Sequence, residues 1–130
     1  MTERDYYPAI GRYVVKRMTE LESSMVWDAK FTRTKRLPFS CLLPHQEERM
    51  LAAERCYAEK IPDVGIMRKA FDGYGVWHAY AVIIAIYYEP RHTLAYEIPL
   101  RSFLREKYES GNKSLTSQRA SEIATMVVKL

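Results

Sequence analysis

The chain reads as an α/β fold, a β-sheet with helices packed on its faces, and three observations predict it. Between Tyr6 and Leu21, Ile10, Tyr13, Val14, Arg17 and Leu21 fall at i, i+3, i+4, i+7 and i+11, the period of a helix with one buried stripe. The run Ala81-Val82-Ile83-Ile84-Ala85-Ile86 is apolar at every position, as in a central strand covered on both faces. Pro44 and Pro99 each stand where a helical stretch begins, and proline suits the first helical position.

Taken in order, Tyr6 to Leu21 is expected to be helical, with Pro8 tolerated in the first turn. Met25 to Phe31 is short and rich in β-branched and aromatic residues, which predicts a strand. A basic loop follows and closes at Leu37-Pro38-Phe39. The second helix runs from Pro44 to about Tyr57, with Gln46, Met50, Ala53 and Tyr57 on one stripe. Lys60 to Gly65 and Lys69 to Gly75 are rich in turn residues. Two strands come next, from Trp77 or Ala79 to Tyr88 and from Leu94 to Ile98, joined by a hairpin through Glu89-Pro90-Arg91-His92-Thr93. A third helix spans Leu100 to about Tyr108, and a last helix is expected from Thr116 or Ser117 to Val127.

Composition limits the function classes. The 130 residues make one domain, 1–130, and with 48% apolar and 28% charged residues the chain can bury a core. Two cysteines, Cys41 and Cys56, exclude a disulfide scaffold and a four-cysteine zinc site. No apolar run approaches the roughly 20 residues of a membrane span, and Met1 to Asp5 shows no signal peptide. A soluble, reduced, cytoplasmic protein is the expectation. His45, His78 and His92 have no zinc-binding spacing with the cysteines, and Gly73-Tyr74-Gly75 is not a phosphate loop.

The net charge of +4 permits a nucleic-acid partner without requiring one. Its distribution is more informative. Lys30, Arg33, Lys35 and Arg36, interleaved with Thr32 and Thr34 and with no acid among them, have the chemistry of a phosphate contact. A solvated basic loop has the same composition. In a strand, residues two apart share a face, roughly 6.5–7 Å apart. Asp28 and Lys30 thus project together with Val26, while Trp27, Ala29 and Phe31 take the other, core-facing side. An edge strand with a polar outer face would alternate in the same way.

The order Trp27-Asp28-Ala29-Lys30, the basic loop Thr32 to Arg36, Pro38-Phe39, and His45-Gln46 opening a helix resembles the core of the PD-(D/E)xK nuclease superfamily. It is particularly similar to RecU-type Holliday-junction resolvases and related phage nucleases. Lys69-Ala70-Phe71-Asp72 and Ala95-Tyr96-Glu97-Ile98-Pro99-Leu100 add to the likeness, which covers about Val26 to Leu104. The resemblance implies a restriction-endonuclease-like domain with a central mixed β-sheet flanked by helices. It also implies a Mg²⁺- or Mn²⁺-dependent endonuclease acting on branched or recombination DNA, working as a homodimer in the cytoplasm (of the host cell, if phage-encoded).

By that resemblance Asp28 binds the metal, helped by the Ala29 carbonyl, and Lys30 orients or deprotonates the attacking water. Gln46 touches the water or phosphate from the side, and Thr32, Arg33, Thr34, Lys35 and Arg36 hold DNA. The family supplies a second metal-binding acid about ten or more residues before the Asp/Glu-x-Lys pair. Here Glu22 lies six residues before Asp28 and is the preferred candidate; Glu20, Asp63 and Asp72 are the others. The spacing is short for the usual hairpin. It keeps a second expectation open, a nuclease-like scaffold that binds nucleic acid or a partner without cutting.

Overall fold

The computed structural model describes residues 1–55, 58–60, 74–76 and 79–130. Helix α1 (Tyr7–Leu21) follows a 3-10 turn at Glu3–Tyr6 and ends at Glu22, whose φ of 52° puts it in the left-handed region. There the Glu22 and Ser23 amides bond back to Thr19 and Met18, turning the chain into strand β1 (Met25–Thr32). Next come β2 (Arg36–Pro38), a 3-10 turn at Phe39–Cys41, α2 (Pro44–Ala53), and the hairpin strands β3 (Ala58–Lys60) and β4 (Tyr74–Val76). The chain closes with β5 (Tyr80–Tyr87), β6 (Leu94–Pro99), α3 (Leu100–Glu109), β7 (Ser114–Thr116), α4 (Ser117–Ile123) and β8 (Met126–Lys129).

The central sheet is mixed, with strand order β1-β5-β6-β8. Strand β1 runs parallel to β5, with Asp28 opposite Ile83 and Lys30 opposite Ala85, while β5–β6 and β6–β8 are antiparallel. The continuous apolar run of β5 is buried on both sides. Ala81, Ile83, Ala85 and Tyr87 join the core with Met50 of α2, Leu100 and Phe103 of α3, and Ala120 of α4. Val82, Ile84 and Ile86 join Ile10 and Val14 of α1. The expected sheet flanked by helices is therefore present, with α1 on one face and the other three helices on the opposite face. Among the described residues, no helix is long and apolar enough to cross a membrane.

Several expected elements take a different form. The last helix stops at Ile123, and Met126 to Lys129 form β8 instead of continuing it. The Thr125 amide bonds to the Glu97 carbonyl at 2.8 Å and the Leu130 amide to that of Thr93 at 2.9 Å, so Val127 and Val128 pair along β6. Both are β-branched and fit a pleated surface better than a helix interior. Helix α2 ends at Ala53 rather than near Tyr57, because the Ala79 amide takes the Ala53 carbonyl at 2.8 Å as the chain enters β5; Tyr57 itself lies outside the described residues. The end of the basic loop, expected to be irregular, forms β2 and pairs with β7 around a buried Leu37–Leu115 contact.

One buried charge ties the sheet to α1. Glu97 is wholly buried on the α1 face of β6. Its carboxylate accepts hydrogen bonds from Tyr13 (2.7 Å), Arg17 (Nε 3.0 Å, Nη2 3.2 Å), Thr125 (2.5 Å) and Tyr80 (3.3 Å). Burial pushes the Glu97 carboxyl up, and the bonds from Arg17, Thr125 and Tyr13 outweigh it, holding the group below its ordinary value. Burial and the neighbouring carboxylate in turn push the Tyr13 phenol well up.

Replacing Glu97 by Gln leaves the half-buried Arg17 with only the exposed Glu20 as counter-charge, and a loss of about 3 kcal/mol is expected. It would be read as a lower urea midpoint at unchanged slope. The pH dependence has a definite sign. A carboxyl held low in the folded state contributes fully above its unfolded pKa of about 4.3. That contribution is lost as pH falls from there through the lowered folded value. Wild-type urea midpoints should drop across this acid range, and the drop should be smaller in Glu97→Gln.

Candidate metal and phosphate site

Alternation along β1 sets the site. Trp27, Ala29 and Phe31 turn toward α1, and Val26 packs into the core on the opposite side, where Asp28 and Lys30 also project. Strand β1 is an end strand of the four-stranded sheet, so this polar pair lies at its margin rather than over its middle. The Lys30 ammonium lies 3.2 Å from Asp28 Oδ2 and donates to Gln46 Oε1 at 3.1 Å. Asp28, Lys30 and Gln46, expected from the sequence to act together, are thus brought into one cluster.

Gln46 reaches the cluster because α2 begins beside β1. Its Oε1 also accepts the Leu43 amide at 3.0 Å, which caps the helix start. Both neighbours of that oxygen are donors, so the orientation of the amide is chemically determined, with the NH₂ as its donor end. Lys30 and Asp28 keep only 13% and 26% of their side-chain surface. An ion pair so enclosed is screened less by salt than a surface pair. The cluster therefore offers a carboxylate oxygen, an ammonium and an amide NH₂, which suit a divalent cation, a phosphate oxygen and a water molecule.

Cys41, on the 3-10 turn before α2, is half-buried and free. Burial pushes its thiol up; Lys30 opposes that shift and Asp28 adds to it. The thiol therefore senses both charges. Its spacing to the histidines had excluded zinc, and nothing in the sequence tied it to these two charges.

The other candidates separate. Glu22 caps α1 and is exposed, before β1 begins at Met25. Glu22 thus stands at the turn between α1 and β1, three residues before the strand that carries Asp28. Glu20 lies 3.7 Å from Arg17 at the end of α1. Asp63 and Asp72 lie outside the described residues, as do Cys56 and His78. Among the described residues no three of His, Cys, Asp and Glu are grouped closely enough to hold a metal. Glu97 is buried on the other face of the sheet. Ala29 is itself buried toward α1, between the two charged positions.

The basic loop divides in two. Thr32 and Thr34 spend their hydroxyls on the turn: both donate to the Arg36 carbonyl at 2.9 Å, and the two hydroxyls lie 3.1 Å apart. They shape the loop rather than face a phosphate. Arg33, Lys35 and Arg36 are exposed. The Arg33 guanidinium lies 5.0 Å from the ring centre of Tyr88 and 5.5 Å from that of Phe31, and it donates to the Met1 carbonyl.

Compared with protein-family models, with curated proteins and with solved structures, the chain matches none of them. The functional reading therefore stands on the cluster and its surroundings.

The Cys41 thiol gives a readout of this geometry that needs no activity. In a Cys56→Ser background, its alkylation rate should rise with pH to a midpoint above the ordinary thiol value of about 8.5. Asp28→Asn should lower that midpoint and Lys30→Ala should raise it. Equal midpoints in all three proteins would contradict the placement.

Proposed function

We propose that this protein is a Mg²⁺- or Mn²⁺-dependent DNA endonuclease that hydrolyses phosphodiester bonds in branched or recombination DNA. The observation that carries the proposal is the Asp28–Lys30–Gln46 cluster: a carboxylate and an ammonium 3.2 Å apart on one strand face, with an amide 3.1 Å from the ammonium. The likeness of this segment to resolvase sequences supports the reading, as do the exposed cations Arg33, Lys35 and Arg36 downstream on the same chain.

A divalent ion fits the donors in minimal form. Mg²⁺ keeps several waters and takes one or two carboxylates, and Asp28 provides one. Such an ion, when bound, would acidify a water and neutralise charge on the phosphate oxygens. Asp28 would hold it through its carboxylate. The Lys30 ammonium, held between Asp28 and Gln46, would contact the scissile phosphate and orient the water. The Gln46 NH₂ would donate to a non-bridging phosphate oxygen, with its carbonyl end kept in place by Leu43 and Lys30. Action as a homodimer belongs to the same proposal, since two strands of a junction call for two sites.

Two observations favour a second reading, a nuclease-like protein that binds DNA without cutting it. Glu22 is exposed at the C-cap of α1, before β1 begins, and Asp28 already has Lys30 as its counter-charge. Incubation with four-way and forked DNA in Mg²⁺ or Mn²⁺ separates the two. The nuclease should nick these substrates, and Asp28→Asn and Lys30→Ala should each slow cleavage at least 100-fold while leaving DNA affinity within about tenfold. Salt-sensitive binding with no cleavage in either ion would establish the second reading instead.

A further inference from the structure

The β5–β6 hairpin turns through Glu89-Pro90-Arg91-His92, closed by the His92 amide bonding to the Glu89 carbonyl at 2.9 Å. Proline at the second position and a φ of 64° at the third, Arg91, make this a type II turn. Glycine or asparagine ordinarily takes that third place, because a larger side chain is strained in the left-handed region. Strain of this kind collects where a side chain has a task. The turn beneath Arg91 is also braced. The buried Thr93 hydroxyl donates to the Glu89 carbonyl at 2.9 Å and lies 3.2 Å from the Tyr6 hydroxyl. Arg91 itself is exposed.

Beside the turn, a cleft of about 510 Å³ opens beyond the end of β1, between the hairpin and the basic loop. Pro90 and His92, on either side of Arg91, line one wall, and Arg33 and Lys35 line the other. The Arg33 guanidinium ties the walls together, 5.0 Å from the ring centre of Tyr88. Lys129 stands opposite Leu94 in the β6–β8 register, which puts it on the sheet face that carries Asp28 and Lys30. Glu89 is the one acid in the lining. The rings of Tyr87 and Tyr96 are buried and meet edge to face at 5.6 Å, so the cleft offers charge and no surface for stacking.

These cations differ from the others. Arg17, Arg101, Lys107 and Arg119 each have a carboxylate partner. Among the described residues no acid pairs with Lys35, Arg91 or Lys129. Unmatched cations spread over a loop, a turn and a strand suit a row of phosphates better than a single anion. Their place suits the cut as well. The Tyr88 amide bonds to the Thr32 carbonyl at 2.9 Å, so the hairpin and the basic loop both leave the sheet at the end of β1. That end is about 13 Å along the strand from Asp28, the axial length of about four base pairs at 3.4 Å each.

We infer that Arg91, at the tip of the β5–β6 turn, grips the phosphate backbone of a duplex arm beside the cut, facing Lys35 across the cleft. The inference rests on the proposed nuclease reading and deepens it. It adds a second wall, from a distant part of the chain, to a DNA contact that the sequence placed in the basic loop alone.

The test uses the full chain in EDTA, so that binding is measured without cleavage, and a fluorescein-labelled duplex of about twenty base pairs as the probe. Arg91→Gly removes the charge and suits the backbone, so its thermal midpoint should hold or rise. Its affinity should nevertheless fall at least fivefold, and the slope of log affinity against log salt should become shallower by about 1. Lys35→Ala should do the same to the slope. Arg91→Lys should bind within threefold of the wild type, and so should Arg101→Gln, whose native charge is matched by Glu54. An unchanged slope in Arg91→Gly, or an Arg91→Lys protein as weak as Arg91→Gly, would overturn the inference. Nicking by the wild type in Mg²⁺ alongside an unchanged Arg91→Gly slope would overturn it and leave the nuclease reading intact. A slope that depends on Arg91, with no nicking in either ion, would uphold the contact and remove the nuclease reading. A wild type that binds no DNA would overturn both.

Discussion

Strand β5 is apolar on both faces, and that constraint organises the molecule. Ile83 and Ile84 point in opposite directions, and both are almost completely buried. Each such side chain contributes roughly 1.5–3 kcal/mol when removed from water, so the sheet is stable only if helices cover both sides. Helix α1 covers one, and α2, α3 and α4 the other. The parallel pairing of β1 with β5 then leaves no freedom of register. A slip by one residue would send Asp28 and Lys30 under α1 and put Trp27 and Phe31 on the opposite face.

This is how packing becomes chemistry. The position of the Asp28–Lys30 pair follows from the burial of Trp27, Ala29 and Phe31 on the α1 side. Gln46 reaches it because α2, anchored through Met50 and Ala53, starts next to β1. Buried charge is handled differently on the two faces. On the α1 side Glu97 is enclosed and satisfied by four side chains, a closed network that links α1, β5, β6 and the approach to β8. On the other side Asp28, Lys30 and Gln46 form a partly exposed cluster of a carboxylate, an ammonium and an amide. The first arrangement holds the fold together, and the second is open to a ligand.

Much of the sheet was legible in advance. The apolar run of β5 and the stripe of α1 are written in residue periodicity, and so is the sharing of one face by Asp28 and Lys30. The Glu97 network was half visible: Arg17 stands in an otherwise apolar stripe, and Glu97 in an otherwise apolar strand. Two such misfits of opposite charge predict a partnership, yet nothing local says which groups 80 residues apart will meet. The C-terminal strand was misread as helix because Ser117 to Ile123 is helical, and the switch at Ala124–Thr125 is made by bonds to Glu97. The threonines of the basic loop look like phosphate ligands by composition, but the turn itself consumes their hydroxyls.

The sequence by itself determined the fold class, the central strand, and the face shared by a carboxylate and an amine, because strand and helix periods are local properties of the chain. Tertiary structure alone decided that Gln46 closes on Lys30, that Glu97 meets Arg17, and that tyrosines and cations line a cleft beyond β1. Those relations join residues distant in sequence. They depend on how the two covered faces of the sheet pack, which no run of neighbouring residues encodes.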